Sequence, residues 1–222
     1  MQLCKVAQLH KVAFMSEDLS RRERNRREAY ETIHRVAYNR IVTQGQCGAT
    51  VETLADAAGV SPRTFFNYYR SKEDAVLGVR PPEVTPHQLD SLAVDTAAEL
   101  LERVVHLLID VMRASVIDHD TLLERREAVA DMSELRTRLT RHFYLCELAV
   151  LEALSRSLDV LSENQTTELR AAGPQPERAL TALAGAVVRY SFAVDSNVLT
   201  RHSHDAVAQS INTFKKIVKV AL

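Results

Sequence analysis

Residues Thr50 to Leu77 read TVETLADAAGVSPRTFFNYYRSKEDAVL, and this stretch decides the fold. Thr50 carries the side chain of a helix N-cap. Val51, Leu54, Ala55 and Ala58 follow at i, i+3, i+4 and i+7, one face of a short helix. Gly59 suits a left-handed stop. Val60 is apolar, Ser61 is a second cap, and Pro62 sits at a first helical position, where a missing N–H is tolerated. A third helix is expected over Pro62 to Tyr69, with Phe65 and Tyr69 facing inward. Ser71 caps a fourth, Lys72 to Leu77, closed by Gly78.

Helix, glycine turn, helix is the grammar of a helix-turn-helix. The major groove of B-DNA admits one α-helix, and the outward positions of the helix from Pro62 are Arg63, Thr64, Phe66, Asn67 and Tyr68. Arg pairs with guanine, Asn with adenine, and a Thr methyl or an aromatic ring packs on a thymine methyl. Phe66 and Tyr68 are more aromatic surface than so short a helix needs for its core, which gives them an outward task. Thr50 and Ser61 open helices whose first N–H groups suit phosphates. Lys72 adds a cation at the next helix start. The same spacing also fits an ordinary helical hairpin with exposed aromatics.

Upstream, Ser20 and Glu23 make a capping box, so a first helix is expected to begin at Ser20. Ala29, Ile33, Val36, Ala37 and Ile41 continue it until Gly45 and Gly48. Residues 1–19 have weak periodicity and read as a loose N-terminal extension, with Met15 as an alternative start. Ser20 to Arg27 holds Arg21, Arg22, Arg24, Arg26 and Arg27, either a solvated helix start or an arm for phosphates. Residues 1–80 hold 13 Lys+Arg against 9 Asp+Glu; residues 81–222 hold 15 against 20. A basic first third on an acidic remainder points to a polyanionic partner for the first part alone.

Downstream, Pro81, Pro82 and Pro86 break the helical pattern and mark a boundary. The organisation expected is an extension over 1–19, a helix-turn-helix domain of three principal helices over 20–79, and a larger helical domain over 87–222. In that second domain Leu100, Leu101, Val104, Leu107, Leu108 and Val111 form one stripe. Leu139, Phe143, Cys146, Val150, Leu154, Leu158 and Leu161 form another. A shorter helix fits 120–135, a polar loop fits Ser162 to Arg178, and two last helices fit 177–197 and 204–221. The fold class expected is all-α.

Composition narrows the function. The chain of 222 residues is 46% hydrophobic and 26% charged, a globular balance. The longest apolar run near the C-terminus, Ala182 to Val188, is far too short for a membrane span, and residues 1–15 lack the apolar core of a secretory signal. Cys4, Cys47 and Cys146 are few and widely spaced, which fits a reducing cytoplasm and neither disulfides nor a cysteine zinc site. There is no Walker loop, nucleophile elbow or dinucleotide fingerprint. A di-metal bundle wants two copies of Glu-x-x-His, and the chain offers one, Glu31 and His34; His119, His202 and His204 are the remaining material. Cys47 beside Gly48 is the one candidate for a thiol sensor. No catalytic residue, cofactor or metal is therefore expected, and no membrane partner.

Thr50 to Leu77, within a match running from about Glu28 to Gly78, resembles the DNA-binding domain of tetracycline-repressor-like (TetR/AcrR) regulators. The resemblance implies that Pro62 to Tyr69 is a recognition helix. It implies that Thr64, Phe66, Asn67, Tyr68 and Lys72 contact DNA and that Thr50 caps against a phosphate. Phe66 stands where the family often has Tyr and lacks the hydroxyl. The resemblance further implies a homodimer joined through the last two helices, a palindromic double-stranded operator, and a small-molecule effector that releases a repressor. Leu180, Leu183, Ala184, Val187, Val188 and Ser191 form one stripe; Ala206, Val207, Ser210, Ile211, Phe214 and Val218 form the other. Leu183, Val187, Val188, Ile211 and Phe214 are the expected interface. His106, Phe143, Glu147 and Tyr190 are the expected pocket, with Arg113, His142, Tyr144 and Arg189 as further polar interruptions. The competing readings are a helical ligand-binding dimer without specific DNA binding, and a metal or thiol sensor.

Overall fold

The computed structural model describes residues 2–44, 49–90, 92, 97–117, 125, 127, 130–156, 163–195, 198–199 and 204–221. Among them are ten helices and no strand: α1 Gln2–Gln44, α2 Val51–Ala57, α3 Pro62–Tyr68, α4 Lys72–Leu77, α5 Pro86–Asp90, α6 Ala97–Ala114, α7 Ser133–Arg156, α8 Glu163–Ala171, α9 Pro176–Val194 and α10 His204–Ala221. The fold is all-α. Contacts divide the chain into two compact units, Met1–Gly78 and Val79–Leu222.

In the first unit α2, α3 and α4 pack on α1, which buries Tyr30, Ile33, Ala37 and Ile41. The caps are those the sequence specifies. Thr50 and Thr53 close a reciprocal box at the start of α2. Ser61 accepts from Thr64 N–H at 3.0 Å, and Ser71 from Asp74 N–H at 3.1 Å. Gly59 and Gly78 end their helices at φ +69° and +66°, where a side chain would be strained. Phe65 and Tyr69 are fully buried, and Tyr69 Oη donates to the Tyr30 carbonyl at 3.0 Å. Buried His34 donates from Nδ1 to the Ala75 carbonyl at 2.7 Å, tying α1 to α4.

Three expectations change here. The first helix does not start at Ser20: its backbone is helical from Gln2, so Ser20 lies inside the helix and not at its start. Nothing before Gly45 is glycine or proline, and a helix propagates until something stops it. The boundary segment holds a short helix, α5, opened by a box in which Thr85 N–H donates to Gln88 Oε1 at 2.8 Å. Residues 163–171 form α8 rather than loop, because Glu, Gln, Leu, Arg and Ala favour helix without an apolar stripe. Gly45, Cys47 and Gly48, residues 120–124, 126 and 128–129 of the helix expected over 120–135, and Leu158 and Leu161 lie outside the described residues, as do His119 and His202.

In the second unit α9 is central and packs on α6, α7, α8 and α10. Its inner face buries Thr181, Ala184, Gly185, Val187, Val188 and Ser191. Helix α6 buries Val105, Ile109 and Met112 in addition to the expected stripe, because neighbours cover most of its circumference. Arg80 caps its C-terminal end: the backbone N–H donates to Ser115 O and Nη2 to Ala114 O, each at 2.7 Å. A cation there also complements the helix dipole. Arg113 donates to the carbonyls of Leu199 at 2.9 Å and Val198 at 3.3 Å, which fixes the turn before α10. Ser115 Oγ donates to Met112 O and accepts from His142 Nε2, both at 2.9 Å.

Candidate functional site

The first unit displays most of the residues singled out from the sequence at one end. Arg63, Phe66 and Asn67 stand at i, i+3 and i+4 on α3 and are exposed. Phe66 keeps 53% of its surface open, a large apolar exposure for a residue packed edge-on against Phe65. Thr64 is half-buried, and its hydroxyl lies 2.8 Å from Ser61 Oγ. Tyr68 is not simply outward, as expected: it is half-buried and sits edge-on against Tyr30, ring centroids 4.9 Å apart. The surplus aromatic surface is thus shared, one ring going to α1 and the other to solvent.

The helix starts differ in what they offer. Thr50 accepts from Thr53 N–H, and the exposed Glu52 carboxyl is held below its ordinary range by its own backbone amide and then by the Thr50 hydroxyl. A phosphate at α2 would meet that carboxylate. Lys72 opens α4 half-buried, 4.0 Å from Glu73, a separation too long to occupy its ammonium fully. Arg21, Arg22 and Arg24 are exposed on α1, but the structure does not gather them with α3. Arg24 stands roughly 9 Å along the axis from Tyr30, where α1 meets α3, at a rise of about 1.5 Å per residue. Arg26 lies 5.8 Å over the Tyr30 ring, and Arg27 pairs with Glu31 at 2.7 Å, so both serve α1 itself.

Residues 33–78 match the family model of bacterial regulatory proteins of the tetR family. The first unit thus carries the DNA-binding signature of tetR-family regulators. It is 28% identical over 204 residues to the HTH-type transcriptional regulator TcmR of Streptomyces glaucescens, an alignment covering 70% of this chain and 90% of that one. It also resembles the fatty acid degradation regulator FadR from Bacillus halodurans at a TM-score of 0.38, 17% identical, over 82% of this chain and 89% of that one. The chain is a DNA-binding transcriptional regulator. Among the described residues no helix is long and apolar enough to cross a membrane, and no three His, Cys, Asp or Glu side chains gather as metal ligands.

The second unit holds a cavity of about 560 Å³ between α6, α7 and α9. Leu108, Met112, Leu135, Leu139, Phe143, Val188 and Phe192 supply its apolar wall, and Arg136, Thr140, Tyr144, Glu147 and Arg189 its polar atoms. Of the four residues expected at a pocket, Phe143 and Glu147 line this cavity. His106 and Tyr190 do not line it: Tyr190 points elsewhere, against Phe214 at 5.7 Å. Arg113 and His142 are spent on structure, as above. Sequence reading missed the roles of Leu108, Met112 and Val188, since a cavity wall and a packed core use the same side chains. The Cys146 thiol, 3.7 Å from His142 Nε2 and 3.7 Å from Ser115 Oγ, is pushed up to about 12 by burial and stays neutral. A neutral buried thiol is a poor redox sensor.

The interface expectation needs correcting. Val187, Val188 and Ile211 are buried within the protomer, so a partner has no surface of theirs to cover. Their stripe was read correctly, but α6, α7 and α10 of the same chain fill it. Leu183 and Phe214 are half-buried, and the apolar side chains left open on α9 and α10 are Tyr190, Val194, Ile217, Val218 and Val220.

Proposed function

We propose that this regulator binds a palindromic operator as a homodimer, reads it with α3, and is released when a small molecule fills the cavity of the second unit. The observation that carries the reading is the two-sided character of α3. Phe65 is sealed in the core while Arg63, Phe66 and Asn67 stand open on a helix fixed by the Ser61 cap and the Gly59 turn. Such a helix fits a major groove. Thr50, Ser61, Thr64, Tyr68 and Lys72 complete the proposed contact set, with Arg21, Arg22 and Arg24 reaching phosphates further out.

Dimerisation is assigned to the open apolar side of α9 and α10, Tyr190, Val194, Ile217 and Val218, rather than to the stripe beneath it. Contiguous apolar surface of this kind marks an association site. A twofold interface uses the same patch on both copies. The effector acts by favouring dimers whose α3 pair no longer matches the operator, and it can do so only by binding the two states unequally. The chain works in the cytoplasm with its DNA, without enzymatic chemistry, metal or cofactor.

Enrichment of bound sequences from random double-stranded DNA tests this. The enriched sites should be inverted repeats with half-site centres about one helical turn, roughly 10 base pairs or a small multiple, apart. Single half-sites would remove the dimer from the reading. On the enriched site, Lys72→Ala should weaken all sequences alike and flatten the slope of log affinity on log salt by about one. An unchanged slope would take Lys72 out of the phosphate contacts.

A further inference from the structure

We infer that the cavity of the second unit takes a molecule with an apolar, ring-bearing body and a single anionic group, held by Arg189 at the Glu147 end. The inference deepens the effector reading above and rests on it for its regulatory consequence. Three observations carry it. The volume, about 560 Å³, lies within the roughly 300–1,000 Å³ of small-molecule sites. The deep wall is apolar, and Phe143 and Phe192 meet in it edge-on at 5.4 Å, which suits a flat ring. The charged groups stand toward solvent: Arg136 is exposed, and the Arg189 side chain is 62% open.

The sign of the ligand follows from the charges. The lining holds two arginines, Arg136 and Arg189, and one carboxylate, Glu147, so it carries one net positive charge. Arg136 Nη1 turns to Ala130 O at 3.5 Å and stands eleven residues of α7, roughly 16 Å, from Glu147, so the anion's partner at that end is Arg189 alone. Glu147 is committed. Its carboxylate is ion-paired with Arg189 Nη1 and lies over Gly185, in the space a Cβ there would occupy. The Glu147 side chain is 20% open against 62% for its partner. A cationic ligand would have to break that pair and take a carboxylate out of its niche. An anion adds to the pair instead, because a guanidinium has five N–H donors and Glu147 Oε1 engages Nη1. Charge-assisted bonds of this kind are the strong ones.

The test uses two dyes that share one skeleton and differ by the sulfonate group, 1-anilinonaphthalene-8-sulfonate and neutral N-phenyl-1-naphthylamine, titrated into the full-length protein by fluorescence. Arg189→Gln should weaken the sulfonate dye by about tenfold, the size of a lost charge-assisted bond, and move the neutral dye less than about threefold, and Arg136→Gln, at the other end of the cavity, should move either dye less than about threefold. Leu139→Trp should exclude both dyes, and Val188→Phe serves if that variant does not fold. In Arg189→Gln, equal losses for both dyes, or no loss of the sulfonate dye, would overturn the anionic assignment. So would ethidium, a flat cation, binding more tightly than the sulfonate and weakening in Glu147→Gln. Dye binding that both filling variants leave untouched would remove the cavity as the site. The assay contains no DNA, so its outcome stands apart from operator binding. Failure of saturating sulfonate dye to loosen DNA counts against the release mechanism, not against the ligand class.

Discussion

Phe65→Ala is expected to destabilise the first unit by about 3–5 kcal/mol, the range for removing a buried phenylalanine. Phe65 has no exposed surface and touches Tyr69 and Phe66 at centroid distances of 6.2 and 5.9 Å. Its ring is sealed in the core of the first unit while the other face of the same helix stays in water. Truncation therefore removes the support of the reading face without altering a side chain on it. Chemical denaturation should show the loss, and specific DNA binding should fall with it at temperatures where the second unit remains folded. A loss below about 1 kcal/mol would mean that α3 is held by something other than its packed face.

Asn67→Ala is expected to weaken binding to the enriched site by about 1–3 kcal/mol, up to a hundredfold, while leaving scrambled DNA nearly unchanged. Asn67 is exposed and carries the amide that pairs with an adenine edge. Because it packs against nothing in the core, stability should hold, so the change would report reading rather than folding. Equal weakening on all sequences would show that Asn67 touches backbone and not bases.

The first unit was legible because its signals are local. A cap acts within three residues and a left-handed glycine acts at one. Thus Thr50, Ser61, Ser71, Gly59 and Gly78 could be placed from the chain alone. The start of α1 misled because a capping box at Ser20 shows where a helix could begin, and says nothing of whether the preceding residues already form one. Helix α5 was missed although Thr85, Pro86 and Gln88 spell its opening, hidden among prolines read as a break. Helix α8 has polar helix formers and no stripe, so periodicity could not find it.

The second unit was less legible because periodicity says that a face is apolar and not what covers it. Val187, Val188 and Ile211 were assigned to a partner, and the protomer's own helices cover them. The same limit hid the cavity: Leu108 and Met112 line it, yet in sequence they are indistinguishable from Val104 and Leu107, which are core. Polar residues interrupting an apolar helix were the better guide. They found Glu147 but also drew in His106 and Tyr190, because spacing leaves a side chain's neighbours undetermined. Buried His34 and His142 show the other side of this: each bonds across the fold, to Ala75 O and Ser115 Oγ, in a way that no local pattern announces.

The most direct measurement is fluorescence anisotropy of the full-length protein on its enriched DNA and on a scrambled duplex, across a salt series. Selective binding that weakens steeply with salt on both duplexes, with a gap of about a thousandfold or more between them, is the expected result. Equal affinity for the two duplexes at every salt concentration would contradict the account, and would leave a helical protein whose exposed α3 face reads nothing.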